Sequence, residues 1–224
     1  MKRFLRENSL SIVFGILFLA SLLGQSIAGW KEYNQELLEH DDPLISWGRY
    51  LYSSEFGAAV LENWQSEFLQ FFTFILATIW FAQKGSNESK KLDEMGLESD
   101  RKQRVGGWAA PNSPWLARTR GFLHQLYANS LLIVMGLIFI ASWFGQSVTA
   151  WTVYNSEQVD HEQSAVGWLK YLTTPDFWEK SLQNWQSEFL AVGTMAVFTI
   201  YLRQRGSPES KPVGAPHDET GSSG

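Results

Sequence analysis

The sequence predicts an all-α integral membrane protein, a four-helix bundle of two tandem, parallel two-helix repeats related by a pseudo-two-fold axis. Three observations predict it: long stretches without charge, a duplication along most of the chain, and basic residues gathered on one predicted side. The bulk composition hides this. The 224 residues carry 18 Lys and Arg against 23 Asp and Glu, a net charge of −5 that reads as an ordinary soluble protein. Yet only 18% are charged, where soluble domains carry roughly a quarter. The apolar and aromatic content, 11 Trp and 15 Phe included, is too high for a disordered chain. The absence of Cys excludes disulfides, thiolate metal sites and Cys nucleophiles. The acidic balance argues against nucleic-acid binding.

Leu10 to Trp30 and Asn129 to Tyr154 contain no charged residue. At ~1.5 Å per residue, about 20 residues cross a ~30 Å hydrocarbon core. Two shorter runs, Phe68 to Ala82 and Phe189 to Leu202, reach that length only if they begin near Trp64 and Trp185. The expected spans are therefore 9–30, 64–83, 130–151 and 185–203. Soluble amphipathic helices carry a charged face, and these runs have none. The first span also reads as a signal peptide, with Lys2, Arg3 and Arg6 ahead of it and Ser26-Ile27-Ala28 as a cleavage site.

The duplication argues against cleavage. Residues 8–90 align with 129–211 at a constant offset of 121, with 38 of 83 positions identical. Asn63-Trp64-Gln65-Ser66-Glu67-Phe68-Leu69 recurs unchanged as Asn184-Trp185-Gln186-Ser187-Glu188-Phe189-Leu190. The first hydrophobic segment has an internal copy that cannot be a cleaved signal. The expected organisation is repeat 1 over 8–90, a cytoplasmic linker over 91–128, repeat 2 over 129–211 and a disordered tail over 212–224. An even number of spans per repeat predicts parallel repeats about an axis along the membrane normal.

Orientation follows from the basic residues. The N-terminal segment, the 84–122 stretch and the C-terminal tail hold 14 of the 18, and loops 31–63 and 152–184 hold the other 4 against 12 acids. The positive-inside rule places both termini in the cytoplasm. Trp30, Trp64, Trp151 and Trp185 then mark the outer edge, and Trp80 and Tyr201 the inner one, as an aromatic belt does.

Thr174-Pro175-Asp176 is a helix start, with Thr as the cap and Pro at the first position. It predicts that the second helix of each repeat begins about ten residues outside the membrane. Gly85 and Gly206 are expected as helix C-caps, with Lys84 and Arg205 at the negative pole. Ala20, Gly24 and Ala28, and likewise Ala141, Gly145 and Thr149, form stripes of small residues along which the first helices of the two repeats are expected to meet.

Glu67 and Glu188 are the ionisable residues inside the expected spans. Gln25 and Gln146 lie five residues below Trp30 and Trp151, ~7–8 Å down a helix. With Ser66 and Ser187 they predict an intramembrane polar layer. An ionisable group in a span is a functional candidate by default. Two glutamates across an axis suit a shared proton or a cation. The simpler expectation, and the favoured one, is that they hydrogen-bond to Gln25, Gln146 or Ser side chains and fix helix pairing, at ~0.6–2 kcal/mol each. His40 and His161 sit beside acids but lack metal-ligand spacing, so solvated loop residues are expected. Trp108 and Trp115 near Arg118 and Arg120 suit a lipid surface, although a plain flexible tether is the simpler reading of the linker.

Taken together, Asn-Trp-Gln-Ser-Glu-Phe-Leu at 63–69 and 184–190, Phe4-Leu5-Arg6-Glu7-Asn8-Ser9-Leu10, and the Gly-Ser-x-Glu-Ser-Lys blocks at 85–90 and 206–211 carry a family likeness. The chain resembles, over residues 2–211, a family of uncharacterised bacterial membrane proteins described as a domain of unknown function. The resemblance implies a multi-pass protein of the bacterial inner membrane and supplies no activity. No nucleophile–base pair or metal set is visible, so no enzyme activity and no cofactor are expected. The expected partners are the lipid bilayer and a second copy of the chain, and the expected mode of action is assembly or interaction. The alternative is a small proton- or cation-coupled channel or transporter using Glu67 and Glu188.

Overall fold

The computed structural model describes residues 2–221. The protein is all-α over these residues, in the order α1 (Lys2–Glu7), α2 (Ser9–Glu39), α3 (Trp47–Tyr50), α4 (Ser54–Trp80), α5 (Asp100–Gln103), α6 (Phe122–Ala128), α7 (Ser130–Asp160), α8 (Trp168–Tyr171) and α9 (Pro175–Tyr201), with short 3₁₀ turns in the 84–122 stretch. The four long helices are α2 and α7, of 31 residues each, and α4 and α9, of 27 each.

Their ends follow local chemistry, and they recur with the repeat. Asn8 breaks α1 from α2 by turning its amide onto the Phe4 carbonyl at 2.9 Å; Asn129 does the same to Gln125 at 2.8 Å. Both α2 and α7 finish on a left-handed residue, Asp41 at φ 58° and Glu162 at φ 59°. The next N–H then reaches back five residues, Asp42 to Leu37 at 2.8 Å and Gln163 to Gln158 at 2.7 Å. This closes the orphan carbonyls of the last turn. Pro175 opens α9, and the Thr174 hydroxyl accepts from Phe177 N–H, as the Thr-Pro-Asp sequence predicts.

Among the described residues, α2 and α7 are the helices both long and apolar enough to cross a membrane. The four-span expectation is met by two helices on that measure. α4 and α9 have the length, but Asn, Gln, Ser and Glu along them lower their apolarity. They also stop early. α4 ends at Trp80 and α9 at Tyr201, so Phe81 to Gln83 and Leu202 to Gln204 leave the helix. Gly85 and Gly206, at φ 87° and 86°, therefore do not cap these helices; each turns the chain in a separate loop just beyond.

The chain divides into two compact units that cut across the repeats: residues 1–60 with 145–168, and 61–144 with 169–224. In the first unit the α4 start lies against α7, because a Cβ at Gly57 would stand 3.0 Å from Thr149 Cγ2. In the second, Gly136 of α7 admits the Phe72 ring of α4 at the same distance. The expected seam between the small-residue stripes does not form. Ala20, Gly24 and Ala28 are exposed, and a Cβ at Gly24 would meet nothing within 4 Å. Ala141 is exposed, Gly145 half-buried, and Thr149 is taken up by Gly57. The close approaches belong to α4 and α7 instead.

The second unit holds an aromatic cluster. Trp143 lies 5.7 Å from Phe139, 5.9 Å from Phe177 and 5.5 Å from Trp185, and its indole N–H reaches Ser181 Oγ at 3.3 Å. Trp178 closes it edge-on at 6.1 Å. The repeat-1 equivalents of Trp143, Trp178 and Ser181 are Leu22, Gly57 and Val60, which cannot build it. Accordingly the apolar part of α7 is more buried than that of α2.

Candidate functional site

The loop after α2 and the loop after α7 are closed by the same clamp. In repeat 1, Trp30 Nε1 donates to the Ile45 carbonyl at 2.8 Å, and the Asn34 side chain donates to that carbonyl and accepts from Ile45 N–H, at 2.9 and 2.8 Å. Trp47 Nε1 reaches Ser26 Oγ at 3.2 Å. In repeat 2, Trp151 and Asn155 do the same to Val166 at 2.7, 3.0 and 2.8 Å, and Trp168 reaches Ser147 at 3.2 Å. Trp30 and Trp151, expected in an interfacial belt, thus also have a fixed polar partner. An indole is suited to this, with an apolar body and one N–H donor.

The polar layer is not symmetric. Ser66 is buried and Ser187 exposed; Gln146 is fully buried and Gln25 exposed; Glu188 is half-buried and Glu67 exposed. Ser66, Ser187, Glu67 and Glu188 belong to the second unit, and Gln25 and Gln146 to the first. Glu188 interacts with the Ser66 side chain and lies within electrostatic reach of Glu67. Its backbone carbonyl accepts from Gln70 Nε2 at 3.3 Å. Gln65, which carries no signal in the sequence beyond its place in the repeated block, is fully buried and accepts from Trp185 Nε1 at 2.7 Å. Neither polar atom of the Gln146 amide makes a hydrogen bond among the described residues. A buried unpaired polar group costs ~1–3 kcal/mol, so this amide is a stressed point of the fold.

Just beyond α4 and α9 comes the duplicated Gly-Ser-x-Glu-Ser-Lys block, and its geometry is again repeated. Ser89 Oγ accepts from Gln83 N–H at 2.8 Å, and Ser210 Oγ from Gln204 N–H at 2.9 Å. Ser86 and Ser207 each accept from the N–H two residues on, both at 3.2 Å. The closing lysines differ. Lys90 donates to the Gly96 carbonyl at 3.2 Å and pairs with Glu98 at 3.4 Å. Lys211 is buried and gives its three protons to the carbonyls of Pro216, His217 and Glu219 at 3.0, 3.0 and 3.1 Å. Burial pulls its pKa down, helped by Arg203 and opposed by Glu219 and Asp218. His217 meets the Ile200 carbonyl at 3.0 Å, and Gly85 N–H reaches Thr220 at 2.9 Å. The tail, expected to be disordered, is therefore docked through Gly221; residues 222–224 lie outside the described residues.

Two acids of these blocks meet. The carboxyls of Glu88 and its equivalent Glu209 are in hydrogen-bonding contact. Burial first, and then the Glu209 charge, push the Glu88 pKa up. Both line a cavity of about 410 Å³ between α4 and α9, with Gln70 as its other polar wall and Phe71, Phe74, Val192 and Met195 as apolar ones. The offset of 121 marks the two acids as equivalents, but nothing in the sequence signals that they touch.

The acids at the starts of α4 and α9 are also unequal. Glu55 is half-buried, and burial, with Glu36 and Glu157 nearby, raises its pKa. Its equivalent Asp176 pairs with Lys180 at 3.1 Å and accepts from the Tyr171 hydroxyl at 3.0 Å. His40 ends α2 with its ring on the Glu36 carbonyl, and this bond, then Asp160, Glu36 and Asp42, raises its pKa against the small cost of desolvation. Among the described residues, no group of three His, Asp or Glu is arranged to hold a metal ion.

These features define a class: an all-α protein with long duplicated helices, two of them of membrane-spanning length and apolarity. The chain belongs to a family described as a domain of unknown function, DUF6766, whose family model matches residues 1–222. No curated protein and no solved structure matches it.

Proposed function

We propose that the protein is a non-enzymatic integral protein of the bacterial inner membrane, crossing it four times with both termini and the 91–128 linker in the cytoplasm, and acting by assembly or interaction within the bilayer. The observation that carries this reading is the open face of α2. Leu10, Phe14, Ile16 and Leu19 are each more than 60% exposed, while the C-terminal end of the helix is capped and clamped. A protein that clamps one end of so apolar a helix and leaves the other half bare has lipid or a second copy as its partner. The Gly24 stripe, unused within the chain, suits close approach of another helix. The test is the mass of the detergent- or nanodisc-embedded protein and of Gly24→Leu. A wild-type dimer that becomes a folded monomer on substitution supports assembly through α2. A wild-type monomer at all concentrations overturns it.

A second reading is favoured by the α4–α9 seam. Glu67 and Glu188 interact along it, and Glu88 and Glu209 line the cavity within it. Repeated carboxyl pairs along one seam suit movement of protons or cations. Four helices make a thin wall, so transport requires an oligomer. Liposomes with an internal pH dye and an imposed gradient separate the readings. Flux that is lost in Glu67→Gln/Glu188→Gln supports transport, and its absence in wild type removes it.

A further inference from the structure

We propose that residues 101–128 form an ordered platform that binds the headgroups of anionic phospholipids in the leaflet from which α7 enters the membrane. The inference rests on the membrane reading above, but not on which side is cytoplasmic. It starts from charge. Arg101, Lys102, Arg104, Arg118 and Arg120 lie in this stretch, which contains no acid. Lys102 is satisfied locally by Glu94 and Glu98, at 3.2 and 3.4 Å. Arg104 and Arg120 make no ion pair among the described residues. Interleaved with these cations are apolar side chains that the fold leaves uncovered: Trp108 is 58% exposed, Trp115 66% and Phe122 79%. Trp and Arg side by side suit the headgroup depth of a bilayer, where the ring meets the acyl boundary and the guanidinium meets phosphate.

The stretch is built rather than loose, unlike the flexible tether its glycines and prolines suggest. Ser99 caps α5 by accepting from Lys102 N–H, and the Arg101 guanidinium lies 5.4 Å over the Trp108 ring. The turn at Gly106–Trp108 touches α5 and the turn at Trp115–Arg118, and the latter touches α6. Arg118 holds the stretch between the two turns by donating to the carbonyls of Ala110, at 2.9 Å, and Pro111. His124 of α6 meets the Leu116 carbonyl at 3.3 Å. Finally α6 passes into α7 through Asn129 alone. A chain of contacts therefore ties the exposed tryptophans to the first turn of an apolar helix. Where α7 enters the bilayer, the platform lies at the interface. Negative headgroups complement its unpaired arginines, and uncharged ones do not.

The test uses the full-length protein in nanodiscs of phosphatidylcholine alone and of phosphatidylcholine with 30% phosphatidylglycerol, with hydrogen exchange read on peptides from 101–128. Loop 31–63 serves as the internal reference. In the anionic discs the platform should gain at least about fivefold protection while the loop is unchanged. The gain should vanish in 0.5 M NaCl, which screens exposed charges. It should also fall in Arg104→Gln/Arg120→Gln, whose fold these exposed residues do not hold. Equal exchange in the two discs, or a gain that survives both salt and substitution, overturns the proposal. Failure of the protein to enter either disc overturns the membrane reading itself, and so distinguishes the two failures.

Discussion

The 31–63 and 152–184 loops and the Gln, Ser and Glu residues of the long helices are duplicated in sequence alike, but only the loops are duplicated in structure. The Trp30–Asn34–Ile45 clamp and the Trp151–Asn155–Val166 clamp agree within 0.1 Å in every hydrogen bond. Gln25 and Gln146, or Ser66 and Ser187, share neighbours in the sequence yet take opposite burials. The difference teaches where each kind of structure is decided. A clamp spans 11 or 15 residues and closes on its own loop, so equal sequence gives equal geometry. Burial depends on what another helix brings, and the repeats differ there by a few side chains.

The largest expected effect tests those side chains. Trp143→Leu converts repeat 2 to the repeat-1 residue and removes the indole shared by Phe139, Phe177, Trp178 and Trp185. We expect a loss of about 2–4 kcal/mol in detergent unfolding. Leu22→Ala, on the open helix, should cost well under half of that. Equal costs would break the comparison.

The clamps should respond alike. Asn34→Ala and Asn155→Ala each delete one donor and one acceptor to a loop backbone. Each should cost about 1–3 kcal/mol, and the two values should agree closely. Thermal unfolding of the two single variants checks this. A large difference would mean that the loops are not independent copies.

A smaller effect has the opposite sign. Gln146→Met replaces a buried, unpaired amide with a side chain of similar volume and should stabilise the protein by about 1 kcal/mol. Gln25→Met, at an exposed position, should change unfolding little.

The smallest effect concerns pH. Because the folded-state pKa of Glu55 is raised, the folded chain holds its proton more tightly than the unfolded chain does. The group therefore costs stability as pH rises from the ordinary carboxylate range through the raised value, and costs none below it. Glu55→Gln should stabilise the protein at neutral pH and not at pH 4, measured by unfolding across that range. Asp176→Asn, which breaks the Lys180 pair, should destabilise it at neutral pH.

Much of the fold is legible in the sequence. The charge-free runs give α2 and α7, Thr174-Pro175-Asp176 gives the start of α9, and the constant offset gives the shared loop and cap geometry. What stays hidden depends on partners distant along the chain. Gly24 and Gly57 look alike as small residues, but only Gly57 has Thr149 against it. The tail looks disordered by its Gly, Ser and Pro content, yet Lys211 organises it by collecting three carbonyls. The candidate site divides the same way. Glu67 and Glu188 stand out as acids in apolar runs, whereas the contact of Glu88 with Glu209 needs both Gly-Ser-x-Glu-Ser-Lys blocks to be folded.

The central claim is that one two-helix unit enters the membrane twice in the same orientation. The chain has no Cys, so single substitutions can be labelled without background. The most direct test is labelling of Asp42→Cys, Gln163→Cys, Glu94→Cys and Asp218→Cys by an impermeant maleimide in right-side-out vesicles. We expect positions 42 and 163 to label on intact vesicles and positions 94 and 218 only after permeabilisation. Labelling of 42 and 163 from opposite sides would contradict the account.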